Sequence, residues 1–199
     1  ISALAGHENY YYTYQSIEAQ KSSKILNGIE EFANYVINDG TGSYIDSYRK
    51  ESFFGRLSYD YDSKYYASLS YRKDGTSRFD PAMRWGDFWS VGGAWRITQE
   101  DFMRSADWIS NLKLRASYGE TGNDQLIDAN GNNLYYPYKG LFGLGYNNYT
   151  DPGILLTVFG NSKLKWETQV TYDVALEFAF LNNMIRGTLE VFNKESRDL

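Results

Sequence analysis

The sequence predicts an all-β fold: an antiparallel, up-and-down transmembrane β-barrel segment of about seven strands, with long loops at one end. Three observations predict it. Apolar and polar residues alternate with period 2 over long stretches. Aromatic residues (19 Tyr, 11 Phe and 5 Trp) make up 18% of the 199-residue chain. Short and long connections alternate along the sequence, which in an up-and-down sheet puts compact turns at one end and long loops at the other.

The strands are expected near 2–14, 46–61, 65–75, 86–97, 111–120, 166–181 and 184–195. The first is less regular than the rest. In the third, Tyr65, Ala67, Leu69 and Tyr71 share one face, and Tyr66, Ser68, Ser70 and Arg72 the other. The fourth places Trp89, Val91, Gly93, Trp95 and Ile97 together. The fifth sets Leu112, Leu114, Ala116 and Tyr118 against Lys113, Arg115 and Ser117. The sixth opposes Val170, Tyr172, Val174, Leu176, Phe178 and Phe180 to Thr171, Asp173, Ala175, Glu177 and Ala179. Several of these segments exceed ten residues, long enough for the tilted strands that cross a bilayer.

Asp62-Ser63-Lys64 and Asn182-Asn183 read as tight turns. The link 98–110 is expected to hold one helical turn, with Thr98 as N-cap and Asp101 three residues on. In the long link 15–45, Ile25, Leu26, Ile29, Phe32, Ala33 and Val36 recur at helical spacing and predict a short amphipathic helix. Link 121–165 is rich in Asn, Gly and Tyr and reads as an ordered surface loop, because it has too many aromatics for a disordered tail.

Alternation alone leaves two assignments open. A soluble barrel or sandwich turns its apolar side chains inward, and a membrane barrel turns them outward. The membrane assignment is favoured by full charges in mid-strand on the polar face: Arg56, Asp60, Arg115, Asp173, Glu177, Arg186 and Glu190. The apolar face also ends in Tyr, Trp and Phe, as an aromatic girdle would. Seven strands would leave open edges, which lipid does not tolerate, so this assignment requires a larger parent barrel. The chain begins at Ile1 with no basic-then-apolar leader, and any export signal is expected outside it.

Composition excludes several classes. The net charge of -5 and the scattered Lys and Arg argue against a nucleic-acid partner. With no Cys, neither a disulfide nor a thiolate zinc site is possible. No apolar run approaches the length of a spanning helix, and the mean hydropathy of -0.55 is compatible with strands that hide every second residue.

Catalytic chemistry is not indicated. The one His, His7 beside Glu8, is expected to make a structural hydrogen bond, since metal sites need several converging ligands. Asp128, Asn130 and Asn132 start like a calcium loop, but Asn133 and Lys139 stand where its Gly and Glu belong. Gly140, Gly143 and Gly145 lack the strand-then-helix setting of a phosphate loop. Neither an enzyme nor a cofactor is expected.

Several strings carry a family resemblance. They are Arg72-Lys73-Asp74-Gly75-Thr76-Ser77-Arg78-Phe79, Arg84-Trp85-Gly86-Asp87-Phe88-Trp89-Ser90-Val91-Gly92-Gly93-Ala94-Trp95-Arg96-Ile97 and Glu100-Asp101-Phe102. Leu112-Lys113-Leu114-Arg115-Ala116-Ser117-Tyr118-Gly119-Glu120-Thr121-Gly122-Asn123, Asn161-Ser162-Lys163-Leu164-Lys165-Trp166-Glu167 and Asn193-Lys194-Glu195-Ser196-Arg197-Asp198-Leu199 follow, and Gly6-His7-Glu8 stands near the start. In this order and spacing, the chain resembles the C-terminal part of the barrel of SusC/RagA-type TonB-linked transporters of the Bacteroidetes. Thr76, where the family more often has Ser, and Trp89, where Pro is common, depart from its pattern.

The resemblance implies a 22-stranded barrel around an N-terminal plug, with residues 1–199 forming part of that single barrel domain and the plug and other strands lying outside this chain. It further implies residence in the outer membrane amid its lipid, and import of an oligosaccharide or peptide driven through the TonB complex. A SusD-like lipoprotein would cap the loop end. Tyr135, Tyr136, Tyr138, Tyr146 and Tyr149 are the candidate substrate contacts, because aromatic rings stack on sugar faces and peptide groups. The competing expectation for each is packing within the loop or against the lid. Two other functions stay in view: a soluble glycan-binding β-domain with no transport role, and an outer-membrane barrel without TonB coupling.

Overall fold

The computed structural model describes residues 1–198. Its main feature is one antiparallel sheet of seven strands, each hydrogen-bonded to its neighbour in chain order. These are β1 (Ser2–Lys24), β2 (Tyr35–Tyr61), β3 (Tyr65–Thr76), β4 (Trp85–Arg96), β5 (Ile109–Asn123), β8 (Glu167–Phe180) and β9 (Ile185–Arg197). Between β5 and β8, the long loop contains a separate two-stranded ribbon, β6 (Leu141–Leu144) with β7 (Ile154–Val158), which the alternation did not signal.

The predicted order holds, and two local expectations are corrected. The helix expected within 15–45 is absent. β1 and β2 instead run far past the other strands, pairing from Ser2↔Ser58 up to Lys24↔Tyr35. A short helix needs a partner for its apolar face, and Ile25, Leu26, Ile29, Phe32 and Val36 have none: all are exposed. The hairpin tip is closed by Asn34, which is buried. Its side chain accepts from the Leu26 N–H and donates to the carbonyls of Leu26 and Ile29. In the 97–108 link, two 3₁₀ turns form (Ile97–Gln99 and Asp101–Met103), and Thr98 lies inside the first without capping it.

The two tight turns are as expected. Asp62 and Ser63 both adopt φ of 53°, the left-handed pair whose twist matches the flanking strands. Asp60 stabilises this turn by accepting from the Ser63 N–H at 2.9 Å. The turn before β9 places Leu181, Asn182 and Asn183 in the same region.

The sheet register sorts the side chains into two faces. On one, Leu57, Leu69, Val91, Tyr118 and Tyr172 lie in a row, and Tyr61, Tyr65, Trp95, Leu114, Leu176 and Leu189 form another nearer the turns. No second layer covers this face among the described residues. Val174 is 52% exposed, Leu189 66% and Val191 78%. Phe180 to Tyr172 on β8 spans about 26 Å of strand at ~3.3 Å per residue, and ~20 Å of bilayer depth at a ~40° tilt. A soluble sandwich would bury such a surface under a second sheet, so that alternative fails on packing.

The opposite face carries the mid-strand ions. Arg115 meets Glu190 at 2.7 Å and both Asp173 and Glu177 at 3.4 Å, and Lys113 meets Glu177 at 3.6 Å. Small residues floor the concave middle of this face, notably Ser58, Ser68, Gly92 and Ser117, leaving a hollow of about 510 Å³ beside Arg115 and Asp173.

A compact aromatic core lies at the loop end. Phe79, Phe88 and Trp166 are buried together, with Leu126 and Leu164 against them. Trp166 meets Phe79 and Phe88 edge-on, at ring distances of 5.8 and 5.5 Å, and donates its indole N–H to the Arg84 carbonyl at 2.9 Å. Gly122 is required here, since a Cβ would run into the Phe88 ring.

Candidate ligand-binding site at the loop end

The extended β1–β2 hairpin presents a column of tyrosines on the ionic face, above the level where the neighbouring strands stop. The register places Tyr12 across from Tyr48, Tyr14 across from Asp46 and Tyr10 across from Lys50. All have the parity of Arg56, which pairs through Ser70, Ser90 and Gly119 with Thr171 on the polar wall. The rings touch in series: Tyr10–Tyr48 at 5.7 Å, Tyr12–Tyr48 at 5.4 Å and Tyr14–Tyr44 at 5.7 Å. None of these five was a sequence candidate. The expected strand 2–14 stops short of the column's upper end, although Tyr10, Tyr12 and Tyr14 already show the period that puts them on one side.

Of the five predicted contacts, the structure brings two to this column. Tyr135 stacks parallel to Tyr12 at 6.1 Å and lies 5.9 Å from Tyr48. Burial, together with a hydrogen bond to Tyr12, pushes its hydroxyl above the ordinary tyrosine pKa, so it remains a protonated donor at neutral pH. Tyr136 receives the Ser47 N–H on its hydroxyl at 3.0 Å. Both side chains pin the long loop to the hairpin. Tyr138 sits under Lys139, 5.5 Å from its ammonium. Tyr146 and Tyr149 are remote, on the turn of the β6–β7 ribbon, where Tyr149 is 97% exposed.

Cations knit the lower column together. The buried Arg78 guanidinium lies 4.4 Å from the Tyr48 ring centre and 5.7 Å from that of Tyr135, and donates to the Asp124 carbonyl at 3.3 Å. Lys50 pairs with Asp124 at 2.7 Å. Below them opens a cavity of about 440 Å³ lined by Lys50, Ser52, Arg72, Asp74, Phe88 and Trp166. The column, this cavity and the serine-floored hollow thus follow one another down the polar wall.

The remaining sequence candidates resolve simply. His7 bonds to Glu51 at 3.1 Å and stacks on Phe53 at 4.6 Å, while Glu8 turns to Arg72. No group of His, Asp or Glu suited to a metal ion occurs among the described residues. Asp128 is the acceptor of a local turn, taking the backbone N–H groups of Asn130 and Asn132, each at 2.8 Å.

The Asn132 backbone and side-chain bonds lower the Asp128 pKa below the ordinary 3.8. The turn's stabilisation is therefore complete above that value and is lost as the pH falls through the lower folded one. Hydrogen exchange should show residues 129–132 better protected in the wild type than in Asp128→Ala at neutral pH, with the difference vanishing in strong acid. An unchanged difference at pH about 2 contradicts this assignment.

A family model described as TonB dependent receptor-like, beta-barrel, matches residues 3–199. Two TonB-dependent receptors of Formosa agariphila are 30% and 34% identical over the whole chain, which spans 19% and 20% of their lengths. The TonB-dependent receptor SusC of Bacteroides thetaiotaomicron is 35% identical over 74% of the chain, or 15% of that protein. Among solved structures, the RagAB peptide transporter superposes with a TM-score of 0.83 at 27% identity, covering 98% of this chain and 21% of that one. The open-open state of the RagAB peptide importer gives 0.85, covering 96% and 20%.

Proposed function

The chain belongs to the TonB-dependent receptor β-barrel family and is a segment of an outer-membrane barrel, and from this premise we propose that its parent protein imports an oligosaccharide or peptide nutrient. In this reading, residues 1–199 are one continuous part of a single barrel domain. The loop end receives the ligand, and TonB, acting through a plug outside this chain, opens the path inward. The relatives are receptors and transporters, not enzymes.

The observation that carries the reading is the continuity of the polar wall. An aromatic column at the loop end leads into a cavity lined by Ser52, Arg72 and Asp74 and then into a hollow floored by serines and glycine. Rings there offer stacking surfaces to sugars or peptide groups, and the hydroxyls and ions below offer exchangeable hydrogen bonds. Tyr135 and Tyr136 serve it by holding the loop against the hairpin, and Tyr138 lies beside them.

A SusD-like lipoprotein capping the loop end is supported by the β6–β7 ribbon. It projects Leu144, Tyr149 and Phe159 with no cover, and apolar surface of that kind marks a contact site. Tyr146 and Tyr149 then act as lid contacts. The test is uptake and co-purification in the native host. Deleting 145–153 should release the lipoprotein from the purified complex, and replacing Tyr12 and Tyr48 by Ala should abolish growth on the imported nutrient while the barrel still assembles. Normal growth of that double variant, with the lipoprotein still absent after purification of the wild type, overturns the reading.

A further inference from the structure

The tyrosine column repeats one arrangement at two levels, and only the lower level holds a cation. There, Arg78 lies 4.4 Å from Tyr48 and Lys50 lies 5.9 Å from it, with Asp124 as the carboxylate. One level up, Asp46 stands directly across from Tyr14, with Tyr44 and Tyr48 two residues away on its own strand and Tyr12 on the diagonal. Glu18, across from Gly42, adds a second carboxylate beside Tyr44.

No Lys or Arg among the described residues lies over Tyr14 or Tyr44, and none pairs with Asp46 or Glu18. The nearby lysines are committed elsewhere. Lys21 donates to the carbonyls of Phe32 and Tyr35, at 3.2 and 3.3 Å, and Lys24 pairs with Glu30.

Ring faces attract cations, and a carboxylate behind the rings adds Coulombic attraction. We propose that Tyr14, Tyr44, Asp46 and Glu18 form a subsite for a positively charged group of the incoming ligand. The group is an ammonium or guanidinium, carried by a basic peptide or an amino sugar. The inference rests on the loop end being the ligand's entrance and adds the ligand's charge to that reading. A cation there completes the upper level as Arg78 completes the lower one.

The test uses the full-length protein purified in detergent, titrated calorimetrically at low salt. The probes are tetralysine against tetraalanine, and a glucosamine tetramer against its N-acetylated form. The expected result is binding of at least one charged probe about fivefold or more tighter than its neutral counterpart. The member that shows the preference identifies peptide or amino sugar. Asp46→Asn and the Tyr14→Ala/Tyr44→Ala double variant should remove the preference, and Tyr14→Phe/Tyr44→Phe, which retains the rings, should keep it. Equal binding of charged and neutral probes overturns the subsite and leaves the entrance intact. A charge preference unmoved by all these variants also overturns it. No binding by any probe overturns both the subsite and the entrance.

Discussion

Val174→Arg should prevent the barrel from assembling normally: an Arg costs about 2–4 kcal/mol at the bilayer midplane and less toward the interfaces, and Val174 lies between the midplane and the Tyr172 girdle. Val174 lies in the row of Tyr59, Ala67, Gly93, Ala116 and Val191, between the rows that end in girdle aromatics. Nothing among the described residues covers it, so the new charge would face acyl chains with no partner. The control is Ser68→Arg, one residue out of phase with Ala67 and on the wall that already holds Arg115, Asp173 and Glu177. That change should be tolerated. Heat-modifiable migration of outer-membrane fractions measures both. Equal tolerance at the two positions contradicts the assignment of faces.

Trp166→Ala should destabilise the loop end by about 3–5 kcal/mol, because it empties the centre of the aromatic core there. Trp166 is 7% exposed, packs edge-on against Phe79 and Phe88 and donates to the Arg84 carbonyl. Its loss creates a cavity and removes one of the two hydrogen bonds at that carbonyl, which also accepts from the Thr76 N–H at 3.2 Å. The damage should be local. The loop 124–166 is rooted here, so limited proteolysis should cut within it many times faster while the membrane strands stay protected. Trp166→Phe should recover much of the packing without the hydrogen bond. A loop equally resistant in wild type and Trp166→Ala contradicts the role given to this core.

Much of this fold was legible because a sheet with one greasy and one ionic side writes itself into sequence at period 2. The faces that carry Leu69, Val91, Tyr118 and Tyr172 were legible strand by strand, as were the charges at Arg115, Asp173 and Glu177, while the rows that join them come from the register. The upper half of the β1–β2 hairpin was not. Its pairing from Gln15 to Lys24 is held by backbone bonds with both faces in water, so no side-chain period was imposed. The helical spacing of Ile25, Leu26, Ile29 and Phe32 misled for the same reason: amphipathic spacing predicts a helix only where its face has something to pack on. The β6–β7 ribbon was missed because its four- and five-residue strands are too short to show alternation.

The site was half legible. Tyr135 and Tyr136 reach the tyrosine column, but as struts for the loop. The rings of the column, Tyr12, Tyr14, Tyr44 and Tyr48, come from strands. Recognising them required the hairpin's true length, which only the pairing register supplies.

The orientation of the two faces underlies the whole account, and site-directed spin labelling of the full-length protein in lipid vesicles measures it most directly. This chain contributes no native Cys, so single cysteines introduced along β8 from Val170 to Ala179 can each carry a nitroxide. The expected result is a period-2 pattern. Labels at Tyr172, Val174 and Leu176 should collide mainly with oxygen dissolved in the bilayer, and labels at Asp173 and Glu177 mainly with a water-soluble nickel chelate. The reverse phase, or labels at Val174 and Leu176 shielded from both reagents within a protein core, would contradict the account.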